Sequence, residues 1–341
     1  MCDVYASVHV FMEEKLFLRA VKGGKNTKII TLNGKKMTKI PSTIGNLPGL
    51  KVLNLQKNLV SKVCSELSTL TQLTVLNLGN NLLEEVPEEV KYLTSLKNLH
   101  LFGNRINRFA SGACDGLKNL ILLNLNNNQL TYIPKEVSRL ESLIYLTINH
   151  NQLTSIPREL CFLKNLSELQ LNYNQLICIP EEIKFLKRLR KLFLARNNIE
   201  VLPEFQHLKL KEFYCEGNPL FLKEPVSAVK QLDVLSLQEI TSRFVMNELT
   251  ERNPFLMEAI EWYPEVWDII SKGRKCAICG KSFLGIWIEC VEFVSPSKNW
   301  KISRNLTLVP LRTLICSYQC FNLRGPNQFG IARVQSSEKL I

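Results

Sequence analysis

Residues 71–95 read TQLTVLNLGNNLLEEVPEEVKYLTS, with a skeleton of Leu73, Leu76, Leu78, Asn81, Leu83, Val86, Pro87, Val90 and Leu93. Outward from this stretch the same skeleton returns in both directions at a step of about 23 residues. The step is easiest to follow on Asn58, Asn81, Asn104, Asn128, Asn151, Asn174, Asn197 and Asn218. A degenerate first unit has Lys35 at the Asn position, with Ile30, Leu32, Met37, Ile40 and Pro41 around it. Several apolar positions, an Asn and a Pro keep register over nearly two hundred residues. That pattern specifies an α/β solenoid of stacked coils.

Each skeleton position has a physical task. The Leu-x-Leu pair alternates with polar residues, so one side of a short strand faces inward and the other faces solvent. The Asn stands where the chain leaves the strand, and its amide can satisfy backbone groups that stacking would otherwise leave buried and unpaired. Ile-Pro or Val-Pro starts the return segment with a fixed φ, and two further apolar residues close the coil. One coil cannot bury its own apolar stripe, so the units must share a continuous core.

Composition bounds the remainder. The 341 residues are 45% hydrophobic and 22% charged, which suits one solenoid plus a smaller terminal module. No apolar run reaches membrane-spanning length. Asp3, Glu13 and Glu14, with no basic segment before an apolar core, argue against a secretory signal. Cysteines total eleven, and Cys161, Cys178 and Cys215 sit at apolar or strand positions of the repeats. A reducing cytoplasmic compartment, or the nucleus, is expected.

The net charge of +12 raises nucleic acid as a partner. Lys15, Arg19, Lys22, Lys25, Lys28, Lys35, Lys36 and Lys39 concentrate it near the N-terminus, with no acidic residue between Glu14 and Glu66. No aromatic platform or groove-reading motif accompanies them, so a solvated end-cap outweighs a basic docking patch. Gly23-Gly24-Lys25 lacks the flanking residues of a phosphate loop.

Taken in order, residues 1–28 are expected to form an N-terminal helical cap, with Leu16, Phe17 and Val21 at helical spacing and a stop at Gly23-Gly24. The preceding VYASVHVF alternates like a strand. About nine repeats fill 29–220, followed by a helical segment over 221–271, a Cys-rich module over 272–323 and a tail over 324–341. Two repeats are irregular. FASGACDGL after Asn104 carries one extra residue, and the Asn197–Asn218 step is short. The short step fits either a naturally abbreviated coil or the loss of a repeat-sized exon.

Solvent-facing strand positions form the concave surface, the usual recognition face of such arrays. They are rich in Asn, Gln and Thr, almost uncharged, and studded with His100, Phe102, Tyr145, His150, Tyr173, Phe193, Arg196 and Tyr214. Aromatics among adaptable amides suit a protein partner better than a phosphate backbone. No carboxylate or Cys stands beside His100 or His150 to form a catalytic pair, so no catalytic residue is assigned and an enzyme is the distant third reading.

Beyond Leu220 the period stops. In LSLQEITSRFVMNELTE, residues Leu237, Ile240, Phe244 and Val245 share a helix face that Leu249 extends, and a second apolar helix is broken at Pro264. Strands are expected through Ile286–Val294 and Leu306–Ile315. Cys276-x2-Cys279-Gly and Cys316-x3-Cys320 have the spacing of two thiolate pairs that complete a tetrahedral structural zinc site. The four His fall at 9, 100, 150 and 207, so such a site is all-cysteine, with Cys290 the spare ligand. A redox pair would need a thioredoxin-like βαβ setting that is missing, and ordinary core cysteines are the bland alternative.

The repeats resemble the short intracellular class of leucine-rich repeat proteins, similar to Ras-suppressor-type signalling proteins. The resemblance implies a non-enzymatic scaffold for protein partners in signal transduction. The tail is similar to that of leucine-rich repeat substrate receptors of cullin–RING ubiquitin ligases. Ser236, Leu237, Thr241 and Val245 match their elongin C-binding box, with Thr at the usual Cys position. NPFLMEAIEWYPEVW shows no clear cullin-choosing segment. The competing expectation for this helix is a cap on the last coil.

Overall fold

The computed structural model describes residues 14–21, 24–205, 208–221, 235–303, 307–324 and 329–336. The expected strand in VYASVHVF lies outside them. The chain divides into two compact units. The first holds the repeats up to Ile199, Phe205–Pro219 and Ser297–Ser303; the second holds Glu200–Glu204, Leu220–Pro296 and the chain from Arg304 onward.

In the first unit, nine three-residue strands stack in sequence order as a parallel sheet. They are β1 Ile29–Thr31, β2 Val52–Asn54, β3 Val75–Asn77, β4 Asn98–His100, β5 Leu122–Asn124, β6 Tyr145–Thr147, β7 Glu168–Gln170, β8 Lys191–Phe193 and β9 Glu212–Tyr214. The central residue of each is buried, as period-2 alternation requires. Return segments are single 3-10 turns such as Glu88–Tyr92 and Lys135–Arg139. Pro87 and Pro134 stand just before them at φ −62° and −67°, so the ring presets the turn entry. The extra residue after Asn104 is absorbed where Asp115 continues the Ser111–Cys114 turn in helical conformation. Gly116 follows because a Cβ there would lie 1.6 Å from the Lys91 carbonyl oxygen.

The Asn column ties neighbouring coils together. Asn151 Oδ1 accepts from Leu130 N at 3.0 Å, and its Nδ2 donates to Leu125 O at 3.0 Å and Ile148 O at 3.3 Å. The motif repeats down the array and holds in the short coil, where Asn218 Oδ1 accepts from Ile199 N at 3.1 Å. In the degenerate first unit, Asn58 Oδ1 takes both Lys35 N and Met37 N.

Both ends of the array are finished. A helix over residues 14–20 (α1) buries Phe17, with Leu16 and Val21 half-buried. At the other end a tenth parallel strand, Trp300–Lys301, pairs with β9 in the register Trp300↔Phe213 and Lys301↔Tyr214. Phe205, Phe213 and Trp300 pack with ring centroids 5.0–5.6 Å apart. Backbone groups that an edge strand would expose are taken up by Cys215 N→Lys301 O and Gly217 N→Ser303 Oγ.

The second unit opens with three successive helices, α2 Leu237–Thr250, α3 Pro254–Glu261 and α4 Pro264–Ser271. Ser236 N-caps α2, Asn253 caps α3, and Pro254 and Pro264 open the last two helices. A hairpin of β10 Arg274–Lys275 and β11 Ser282–Phe283 carries the first cysteine pair. β12 Ile286–Val294 lies between β14 Val309–Ile315 and β15 Phe329–Ser336 in an antiparallel sheet, with a bulge between Cys290 and Glu292 opposite β15. The Trp300–Lys301 strand is β13 in chain order. Leu202 joins the edge through a parallel bridge to Leu311. After β14, Tyr318–Arg324 forms α5. Phe283, Trp287, Ile288, Ile315 and Phe321 make a small core with Cys276, Cys290 and Cys320.

Candidate binding face and metal centre

The solenoid brings the concave-face residues into three groups. His100 and Phe102 meet edge to face with centroids 6.5 Å apart. Phe102 lies over Gly79, where a Cβ would come within 2.5 Å of its ring, so glycine in the adjacent coil makes its seat. Tyr145, exposed on β6, stands in the next part of the face. Burial lowers the His100 pKa, favouring the neutral imidazole.

The second group is a column of bulky residues in left-handed backbone. His150, Tyr173 and Arg196 have φ of 55°, 56° and 55°, where the equivalent positions of other coils carry Gly34, Lys57, Asn80, Gly103, Asn127 and Gly217. A non-glycine side chain there costs about 1–2 kcal/mol. His150 and Tyr173 stack at 4.2 Å with planes 13° apart, and the Arg196 guanidinium lies 5.4 Å from the Tyr173 centroid. Tyr173 is still 46% exposed. Alongside, Asn126, Asn149 and Asn172 hand their Oδ1 atoms to the next coil's backbone N–H at 2.7–2.8 Å. This amide ladder stiffens the strip bearing the stack.

The third group ends the face. Phe193 and Tyr214 stack at 4.8 Å, and Lys301 Nζ lies 4.7 Å from the Tyr214 centroid. Both stacks therefore finish on a cation over an aromatic face, worth about 0.5–1 kcal/mol at exposed sites. Lys301 was not legible as a site residue, since it reaches the ladder from more than eighty positions beyond it. Sequence distance hid it.

The Cys-x-x-Cys-Gly turn and the corner before α5 converge. Sγ atoms of Cys276, Cys279, Cys316 and Cys320 all lie within 4.8 Å of one another, with Cys279–Cys316 and Cys316–Cys320 each at 3.6 Å. A tetrahedral zinc with 2.3 Å bonds sets sulfurs about 3.8 Å apart, so the donor set fits a metal of that kind. Gly280 takes φ +72°, which lets the turn fold its backbone over the pair. The Cys276 thiol is pulled well below the usual range by a hydrogen bond from Cys316, helped by the Cys279, Cys316 and Ile278 backbone against the opposing effect of burial. Cys316 is driven the other way as the donor of that bond. Cys290 lies outside the cluster, and burial pushes its thiol up to about 12.

The same module seats α2 by its polar face. Glu239 is 3% exposed, and its carboxylate accepts from the backbone N–H groups of Leu284, Gly285 and Ile286. Arg243 Nε donates to Glu239 at 2.6 Å, while its Nη atoms donate to Cys316 O and Ile286 O. Asn247 Oδ1 accepts from Ser282 N at 2.8 Å. Residues 239, 243 and 247 thus form an inward stripe at i, i+4, i+8 spacing. The apolar stripe is left outside: Leu237 is 76% exposed, Ile240 and Phe244 are exposed, and Val245 is half-buried. Thr241 Oγ1 donates to Leu237 O, and Ser236 accepts from Glu239 N.

Comparison with known proteins settles the family. The leucine rich repeat family matches residues 48–106, 94–153 and 123–176. Leucine-rich repeat-containing protein 69 of Homo sapiens is 69% identical, over 95% of this chain and 100% of the relative. The chain belongs to the leucine-rich repeat-containing protein 69 family. The Mus musculus member is 68% identical over 94% of this chain and 100% of its own. Among solved structures, a chain of the octameric complex of Latrophilin 3, Unc5D and FLRT2 superposes with a TM-score of 0.54 at 25% identity, covering 66% of this chain and 67% of that one. Leucine-rich repeats imply a protein–protein interaction role. Among the described residues, no helix is long and apolar enough to cross a membrane.

Proposed function

We propose that the chain is a non-enzymatic scaffold of the cytoplasm or nucleus that recognises a protein partner on its concave face, in a signal-transduction setting. The observation that carries this reading is the His150–Tyr173–Arg196 column. Three consecutive coils accept left-handed backbone on large side chains, and those side chains stack while remaining accessible. Strain kept at a surface calls for a use beyond folding. Rigid aromatics with Arg are the anchors that dominate protein interfaces. The amide-rich surround offers no phosphate-binding field, so nucleic acid is not the partner class assigned. Triple substitution of Tyr173, Phe193 and Arg196 by Ala should weaken a partner by about 1–3 kcal/mol per anchor, measured by titration calorimetry. Unchanged affinity would remove the assignment.

The four-cysteine cluster holds a structural zinc ion in this reading. The ion's contribution would be to fix β10–β11 against the start of α5, with all four positions filled by protein and none left for a substrate.

One observation favours a second reading, a substrate receptor of an elongin C/cullin–RING ligase. Ser236, Leu237, Thr241 and Val245 form the candidate box, and α2 turns Leu237 and Thr241 to solvent while its polar stripe is held by its own unit. Insertion of such a helix into a partner's groove needs this orientation. Leu237→Asp should abolish co-purification of elongin C with the melting temperature unchanged. Absence of elongin C from the wild-type complex would end this reading and leave the scaffold standing.

A further inference from the structure

Helix α3 and the turn that joins it to α4 contain the two most exposed large apolar side chains of the described residues. Phe255 is 82% and Trp262 77% exposed, and no residue of α3 is buried. Soluble surfaces do not normally leave such a patch open. The patch is concave: Leu249 at the end of α2, Met257 and Ile260 of α3, and Pro264 and Trp267 of α4 line a cavity of about 500 Å3. That volume is in the range of about 300–1,000 Å3 found for ligand-sized pockets, and it suits side chains better than a flat contact would.

The charge around the groove names its occupant. In a chain of net charge +12, residues 248–272 hold six carboxylates against two cations. One cation, Lys272, is already paired with Asp268 at 2.9 Å. Glu261 is part of the groove wall, and the exposed Glu258 and Glu265 stand next in sequence to its lining residues Met257 and Pro264. None of these three forms an ion pair among the described residues. A basic rim would fit an anionic lipid surface. An acidic rim repels one and attracts Lys and Arg.

We propose that the α2–α4 groove docks an amphipathic helix of a partner protein, whose apolar residues at i, i+3/i+4 and i+7 enter the cavity and whose flanking Lys and Arg meet Glu258, Glu261 and Glu265. The apolar contact supplies affinity, and the carboxylate rim selects basic helices over acidic ones of the same hydrophobicity. The proposal is independent of the concave face.

The test uses the full chain and a fluorescein-labelled 21-residue helix with Leu at a and d positions and Lys elsewhere. Its companions are the same Leu pattern with Glu, and a scrambled Leu/Lys peptide without a helical face. Fluorescence anisotropy should show the Leu/Lys helix binding at least about ten-fold tighter than either companion. Ile260→Asp and Met257→Asp should each lose about ten-fold, and because α3 has no buried residue both should keep the wild-type circular dichroism. Triple substitution Glu258→Lys, Glu261→Lys, Glu265→Lys should reverse the preference toward the Glu peptide. Equal binding of Lys and Glu helices, or binding that survives both groove substitutions, overturns the proposal. So does a wild-type dimer that Ile260→Asp dissolves, which would assign the groove to a second copy. A tryptophan blue shift on phosphatidylcholine vesicles, with no preference among the peptides, would overturn it in favour of lipid.

Discussion

Asn151 shows why single residues of the ladder are so constrained. Its amide joins backbone groups of two coils, and removing it leaves buried N–H and C=O groups without partners. Asn151→Ala should therefore cost about 1–3 kcal/mol in chemical denaturation. Tyr173 makes the opposite case. Tyr173→Gly removes left-handed strain and loses a stack, so stability should stay within about 1 kcal/mol while partner binding falls. Equal destabilisation by the two substitutions would refute the division between structural and recognition positions. His100 adds a pH dependence. Its folded pKa lies below its unfolded value, so the unfolded chain binds the proton more readily and stability falls as pH drops through and below the unfolded value. Thermal melts from pH 7 to pH 5 should show a steeper loss for wild type than for His100→Gln.

At the scale of elements, the solenoid was legible because its period is enforced by burial. Every Leu, Asn and Pro of the skeleton answers to a local geometry, so Leu76, Asn81 and Pro87 announce a strand, a ladder and a turn wherever they recur. Helix α2 was legible as a helix and misleading as an amphipath. Its hydrophobic stripe invites burial, yet the buried side is Glu239, Ser242 and Met246. No periodicity reveals that three backbone N–H groups of the 284–286 turn need a carboxylate. Nor could it place Trp300 and Lys301 beside β9, because nothing in SPSKNWKIS has the repeat skeleton. Glu239→Ala should cost about 3–5 kcal/mol, since Arg243 and three amides lose their partner. Hydrogen exchange should then accelerate across α2 while β1–β8 keep their protection. Unaltered exchange in α2 would show that its apolar face holds it.

For the whole molecule, the repeat array is joined in one chain to a smaller unit in which four cysteines converge beside an apolar core. A bound zinc would stabilise that unit by its binding free energy, and thiolate ligands make the gain pH-dependent. Purified protein should carry about one zinc per chain. Cys279→Ser, or chelation, should release it and loosen residues 274–324 while the repeats stay folded. Zinc-free protein with an unperturbed C-terminal unit would contradict the assignment. The most direct test of the central claim is quantitative affinity purification with mass spectrometry, comparing wild type with the Phe102, Tyr145, Tyr173 and Phe193 quadruple alanine variant. The account predicts that one or more proteins captured by wild type are lost from the variant while its melting temperature is retained. Retention of every wild-type partner by a folded variant would contradict it.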